Sequence, residues 1–187
     1  LERAVRIFFS GSSPDYPKIV HISGGEPLIH WDSLRYIVEL VEQFRRPGEK
    51  HFIVIGTNGT LINGKRAEFI ASHNIKVIVS IDGSKETHDT LRRTHGDGGS
   101  FEKVHRGVLL LKELNVSLGI SMVIGKHNVD RLIEEIGYVI KSYRPISLGV
   151  NFMKPPTKAQ KDFPFLVSPE QYVRAIHQSA SQRQKQY

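Results

Sequence analysis

The sequence predicts an α/β protein whose strands run parallel and curl toward a barrel. Three observations carry that expectation. Short apolar stretches alternate with segments of helical periodicity at intervals of about 25 to 40 residues, the spacing that βα units require. Several of those stretches run straight into glycine and polar residues: Ser23-Gly24-Gly25-Glu26-Pro27, Gly56-Thr57-Asn58-Gly59 and Ser80-Ile81-Asp82-Gly83. Period-two reading then shows one strand face turning polar toward that end. Val77, Val79 and Ile81 share one face, and Ile78, Ser80 and Asp82 the other; Val20 and Ile22 oppose Ile19, His21 and Ser23. A flat sheet covered by helices on both sides should be apolar on both faces. A curled sheet places the polar ends at a mouth ringed by βα loops, where sites are built.

The elements follow in order. Residues 1–9 read as the end of a helix with Ala4, Val5, Phe8 and Phe9 as its apolar face, and Gly11 to Pro17 as a loop. The first strand is Lys18 to Ser23. Helical spacing of Leu34, Ile37, Val38 and Val41 predicts a helix from about Trp31 to Arg45, ended by Pro47-Gly48. His51 to Ile55 is the second strand, Gly64 to Ser72 a short helix, and Lys76 to Ile81 the third strand. A polar loop from Ser84 to Gly99 carries one helical turn around His88 to Arg92. Ser100 is placed to cap a helix over Phe101 to Leu114. Val116 to Ile124 is the fourth strand. Asn128 caps a helix whose core side is Leu132, Ile133, Ile136 and Ile140, and Ile146 to Phe152 is the fifth strand. After a Pro- and Lys-bearing loop, Ser168-Pro169-Glu170-Gln171 is a capping box with proline at the first helical position. The apolar face of that last helix stops after Ile176, so the tail Gln178 to Tyr187 is expected to fray or to mark a cut inside a longer chain.

Length and composition set limits. The 187 residues, 39% hydrophobic and 24% charged, suit one substantial domain. No apolar run approaches about 18 residues, which excludes a membrane helix. The net charge of +7 is scattered over Arg45-Arg46, Arg92-Arg93, Lys154 to Lys161, Arg183 and Lys185. It forms no stripe of the kind that reads nucleic acid, and is taken as solvated surface. No signal-peptide pattern is present, and a cytoplasmic location is expected. The chain opens Leu1-Glu2-Arg3, which reads as mid-helix, so the gene product is expected to extend upstream. There is no cysteine, hence no disulfide and no thiolate ligand.

Glu26, Asn58, Ser80, Asp82 and Asn151 all stand at strand ends and would converge at the mouth. Each also has a plain reading as a turn or cap residue. The nine histidines form no HxH or HExxH pattern; His21, on the mouth side of the first strand, is the one to watch. Gly96-Asp97-Gly98-Gly99-Ser100 lacks the GxxxxGK[ST] phosphate-loop pattern and is read as a connection.

The ordered set Ser23-Gly24-Gly25-Glu26-Pro27, Thr57-Asn58-Gly59-Thr60, Ser80-Ile81-Asp82-Gly83, His88-Asp89-Thr90-Leu91-Arg92 and Gly99-Ser100-Phe101 resembles the radical S-adenosylmethionine enzymes. The likeness is to the branch with C-terminal auxiliary-cluster (SPASM-type) domains, which includes sulfatase-maturing enzymes and peptide maturases, and it spans about residues 18–156. It implies a partial (β/α)6 TIM-like barrel, present here as roughly five βα units lacking the first strand. It implies that Glu26 and the Gly24-Gly25 backbone take the methionine amino group of S-adenosylmethionine, with Pro27 beside them in the cofactor site. Ser80 and Arg92 would hold its carboxylate or ribose, and Val123 and Ile124 would lie against adenine. Asn58 and Asp82 would line the mouth.

The resemblance further implies a 4Fe-4S cluster held by a CxxxCxxC loop, for which this chain has no ligands. The chain is then expected to be a core fragment over 1–187, inactive alone, with the cluster-binding segment upstream and a C-terminal domain absent. The intact enzyme would cleave S-adenosylmethionine reductively to a 5′-deoxyadenosyl radical and abstract hydrogen from a peptide or protein substrate. Flavodoxin or ferredoxin would supply electrons; neither nucleic acid nor membrane is an expected partner. Two alternatives stand beside it: a degenerate, non-catalytic barrel that binds a peptide or partner, and an ordinary barrel enzyme with a phosphorylated substrate.

Overall fold

A computed structural model describes residues 1–11, 16–154 and 163–183. The elements run α1 (Glu2–Ser10), β1 (Lys18–Ile22), α2 (Trp31–Phe44), β2 (His51–Thr57), α3 (Gly64–Ser72), β3 (Lys76–Ser80), α4 (Lys85–Leu91), α5 (Phe101–Glu113), β4 (Leu118–Ile124), α6 (Leu132–Tyr143), β5 (Ser147–Phe152) and α7 (Pro169–Arg183). A 3-10 turn, Pro27–His30, leads into α2. The sheet order is β1-β2-β3-β4-β5. β1 pairs with β2 in parallel, Val20 opposite Ile53; β2 pairs with β3, Ile55 opposite Val77; β4 pairs with β5, Met122 opposite Val150. The chain forms two compact units, Leu1–Val79 with Arg106–Leu118, and Ser80–His105 with Gly119–Tyr187.

In the first unit, one face of each strand carries the core. Ile53, Ile55, Val77 and Val79 are buried, as are Leu34, Val38, Leu40 and Val41 of α2, Ala67 and Ile70 of α3, and Val108 and Leu111 of α5. Phe52, Val54, Gly56 and Ile78, on the alternate face, are half-buried. Gly107 lets α5 approach the loop after β2: a methyl there would stand 2.8 Å from Ile62 Cβ and 3.1 Å from the Gly59 carbonyl. On α1, Val5 and Phe9 are buried while Phe8 is exposed. Lys18, at the start of β1, is buried; its Nζ meets Glu49 at 2.9 Å, donates to the Phe8 carbonyl at 2.8 Å and lies 4.5 Å from the Phe9 ring centre.

In the second unit, α6 corrects the expected helix face. Leu132, Glu135, Ile136, Val139 and Tyr143 are buried, while Ile133 is exposed and Ile140 half-buried. Ile133 and Ile140 lie seven residues apart, on a stripe beside the one that packs. The last helix runs to Arg183, so the described part of the tail from Gln178 is helical. Its inner face is Tyr172, Ala175, Ile176 and Ser179, and the Ser179 hydroxyl is satisfied by the Ala175 carbonyl. The capping box forms as expected: Gln171 N donates to Ser168 Oγ, and Ser168 N to Gln171 Oε1. The expected loop over 155–162 and the last four residues lie outside the described residues.

Two stability outcomes follow from this packing. Lys18→Met removes the 2.9 Å ion pair between two buried groups, Lys18 and Glu49, and should destabilise the chain by about 3 kcal/mol in urea unfolding. Gly107→Ala should cost about 1–3 kcal/mol by the same measurement, because the nearest obstacles include main chain that cannot turn aside.

Candidate functional site

The first cluster stands at the C-terminal ends of β1 and β2. Gly24 has φ +143°, a conformation that side-chain-bearing residues avoid, and a methyl on Gly24 or Gly25 would meet nothing within 4 Å. The turn is therefore open to a ligand. Glu26 follows and is half-buried. Its Oε1 accepts from Leu28 N at 3.1 Å and Thr57 Oγ1 at 2.7 Å, and its Oε2 from Asn58 N at 2.7 Å. The carboxylate thus clasps two strand ends and caps the turn that starts at Pro27. A carboxylate has about four acceptor positions, so Oε2 keeps one. The Asn58 side-chain oxygen turns back onto Thr60 N and Oγ1. Thr57 was not singled out from the sequence, although a hydroxyl residue between Gly56 and Asn58 at a strand end was the available signal. His21 is exposed, with Nε2 3.4 Å from where a Gly56 Cβ would stand.

The second cluster is built around Asp82, which follows β3 and is 2% exposed. Oδ2 accepts from Arg92 Nε at 2.7 Å, and Oδ1 from a terminal Arg92 nitrogen at 3.0 Å and from Val123 N at 2.9 Å. This is a two-pronged guanidinium–carboxylate pair, shielded from water on the carboxylate side. Asp82 is therefore covered, and the group presented outward is the rest of Arg92. Arg92 immediately follows α4, a longer helix than the single turn expected. Asn128, expected as a helix cap, instead staples the loop after β4: it accepts from Gly125 N and donates to the carbonyls of Val123 and Asp82. Ser100 likewise does not cap with its side chain. Asp89 takes the Phe101 amide at 2.8 Å, and the Ser100 hydroxyl donates to the Arg92 carbonyl at 2.6 Å.

Glu135 was missed by sequence reading. It is 1% exposed and accepts from Ser84 N, Ser84 Oγ and Thr87 Oγ1. Gly83 has φ +137°, and a side chain there would collide with Glu135. The signal was a carboxylate standing on the apolar stripe of α6. His127 has both ring nitrogens buried without a hydrogen-bond partner among the described residues; burial lowers its pKa. His88 is fully buried. Burial, aided by the Arg92 charge, pushes its pKa down to about 4.

The structure thus joins Glu26 to Asn58 in one cluster, and Asp82 to Arg92 and Val123 in the other. Ser80 is half-buried at the end of β3. Val123 and Ile124 lie on opposite faces of β4; Val123 is half-buried and Ile124 fully buried, so only the former offers a side chain to a ligand. Asn151 is exposed and donates to Ser121 Oγ at 3.0 Å.

The sequence pattern of the Radical SAM superfamily matches residues 1–139. The chain belongs to the radical SAM superfamily. A cysteine-type anaerobic sulfatase-maturating enzyme of Clostridium novyi (strain NT) is 31% identical over 152 residues, 80% of this chain and 40% of that enzyme. An AdoMet-dependent heme synthase of Methanosarcina barkeri is 29% identical over 161 residues, 85% of this chain and 43% of its own length. The solved structure of anSMEcpe with bound AdoMet and Kp18Cys peptide matches with a TM-score of 0.85 at 22% identity, over 95% of this chain and 49% of that one. The fold is the α/β partial TIM-like barrel of the radical SAM proteins, and the chain spans less than half the length of these relatives. Among the described residues no helix is long and apolar enough to cross a membrane.

The buried His88 gives this radical SAM chain a pH signature. Below about pH 6.5 the unfolded chain takes up a proton at this histidine that the native state refuses, so stability falls as pH drops from 6.5 toward 4. The loss should reach ~3 kcal/mol. In urea unfolding at pH 7 and pH 4.5, His88→Gln should show a smaller difference between the two pH values than the native sequence.

Proposed function

We propose that this chain is the cofactor-holding core of a radical S-adenosylmethionine maturase that removes hydrogen from a peptide or protein substrate. The observation that carries the reading is Glu26, a carboxylate fixed by three donors beside an open Gly-Gly turn. It keeps one acceptor position, which suits the ammonium of an amino-acid moiety, and the charge-assisted bond it would make is roughly twice as strong as a neutral one. Arg92, with Asp82 holding one edge, suits a carboxylate on its other edge. Val123 offers a half-buried apolar side chain for adenine. These residues fit S-adenosylmethionine. They do not fit a 4Fe-4S cluster, which needs thiolates, because none of the 187 residues is a cysteine. The reading therefore takes the cluster's ligands from outside these residues, and the electrons from a donor such as flavodoxin or ferredoxin.

When bound and reduced, S-adenosylmethionine supplies a 5′-deoxyadenosyl radical that abstracts hydrogen. The residues here bind and orient it; the cofactor carries the chemistry. Support for a peptide substrate comes from the relatives: sulfatase-maturating enzymes among the similar sequences, and a structural neighbour described with a bound peptide.

The test uses the protein expressed from its whole gene and reconstituted anaerobically with iron and sulfide. It should convert S-adenosylmethionine to 5′-deoxyadenosine in the presence of reductant and a sulfatase-derived peptide. Glu26→Ala and Arg92→Ala should each weaken S-adenosylmethionine binding by about tenfold or more in equilibrium dialysis. Binding that survives both substitutions refutes the site.

A further inference from the structure

We propose that His88 is a positioning residue for Arg92: with Ser100 it closes a ring of hydrogen bonds that starts and ends on Asp82, and so fixes the edge that Arg92 presents to the carboxylate of its ligand. The inference rests on the ligand-facing role given to Arg92 above.

The ring is directional. Asp82 N donates to His88 Nδ1 at 3.4 Å. Nδ1 is then the acceptor, and Nε2 carries the proton. Nε2 lies 3.0 Å from Ser100 Oγ, whose own proton goes to the Arg92 carbonyl at 2.6 Å. The guanidinium returns to Asp82 through Nε and one terminal nitrogen. Arg92 is thus held at both ends, by its carbonyl and by its side chain. Of about five N–H groups on a guanidinium, this leaves three for a ligand. Arg92 keeps 24% of its side-chain surface exposed, whereas Asp82 keeps 3%.

The loop between α4 and α5 does not need His88 to close. Arg93 and Gly99 form an antiparallel bridge, Thr94 N donates to the Gly98 carbonyl at 2.8 Å, and Asp89 holds the α5 N-terminus. An apolar side chain in the place of His88 would fill the core without the cost of burying an imidazole. The imidazole adds a directed link to Arg92, and perturbed groups of this kind gather at functional sites.

The test compares two probes on the reconstituted protein by equilibrium dialysis: S-adenosylmethionine, and its decarboxylated analogue, which keeps the sulfonium and amine. The affinity ratio between them measures recognition of the carboxylate. His88→Phe should lower that ratio about tenfold. His88→Gln, which keeps a donor toward Ser100, should stay within about threefold of the native ratio. Ser100→Ala should behave as His88→Phe. In the native 187-residue chain, nitrogen NMR should show the Nε2–H tautomer at pH 7. An unchanged ratio in His88→Phe and Ser100→Ala, or the Nδ1–H tautomer, overturns the ring. Should the native protein bind neither probe, the reading of Arg92 falls and this inference with it; native binding with an unchanged ratio sinks the inference alone.

Discussion

The Asp82–Arg92 pair is the constraint on which the second unit depends. A carboxylate this deeply buried is tolerable only when its charge is matched and its remaining acceptor positions are filled. Arg92 supplies the charge, and the Val123 amide fills a further position. The main chain of Asp82 is used as fully as its side chain: its N–H reaches His88 and its carbonyl receives Asn128. One residue therefore ties the end of β3 to the end of β4 and to the loop after α4. The polar groups around it are arranged about that single buried charge.

Glu26 plays the corresponding part in the first unit by a different route. No cation faces it in its described bonds; instead two main-chain amides and a hydroxyl converge on it. A carboxylate held by neutral donors keeps its negative charge uncancelled, which suits attraction of a cationic group. Asp82, by contrast, is neutralised by its partner and acts through the partner's outer edge. One cluster presents a carboxylate, the other the outer edge of a guanidinium.

Much of the fold was legible because each strand and helix carried its own local signal. The five strands, the capping box at Ser168 and the short helix from Gly64 needed only periodicity and turn chemistry. What escaped were side chains whose partners lie far along the chain. Glu135 meets Ser84 and Thr87 across about 50 residues, and its place on the apolar stripe of α6 does not say which residues it meets. Asn128 and Ser100 show the converse failure. Both carry good local capping chemistry, yet each side chain bonds main chain elsewhere: Asn128 the Gly125 amide and the Val123 and Asp82 carbonyls, Ser100 the Arg92 carbonyl. The strand-end residues Glu26 and Asp82 were found because each adjoins a glycine at a strand end, while the bonds that define their roles were not visible without coordinates.

The turn after β2 also bears on how the chain ages. Asn-Gly pairs lose ammonia when the glycine nitrogen attacks the asparagine side-chain carbonyl. At Asn58-Gly59 that nitrogen donates to Thr57 Oγ1 at 3.0 Å, and the asparagine oxygen is tied to Thr60. The attack geometry is withheld for as long as the strand end stays formed, so the Thr57 hydroxyl that helps to seat Glu26 also helps to shelter its neighbour from spontaneous chemical decay.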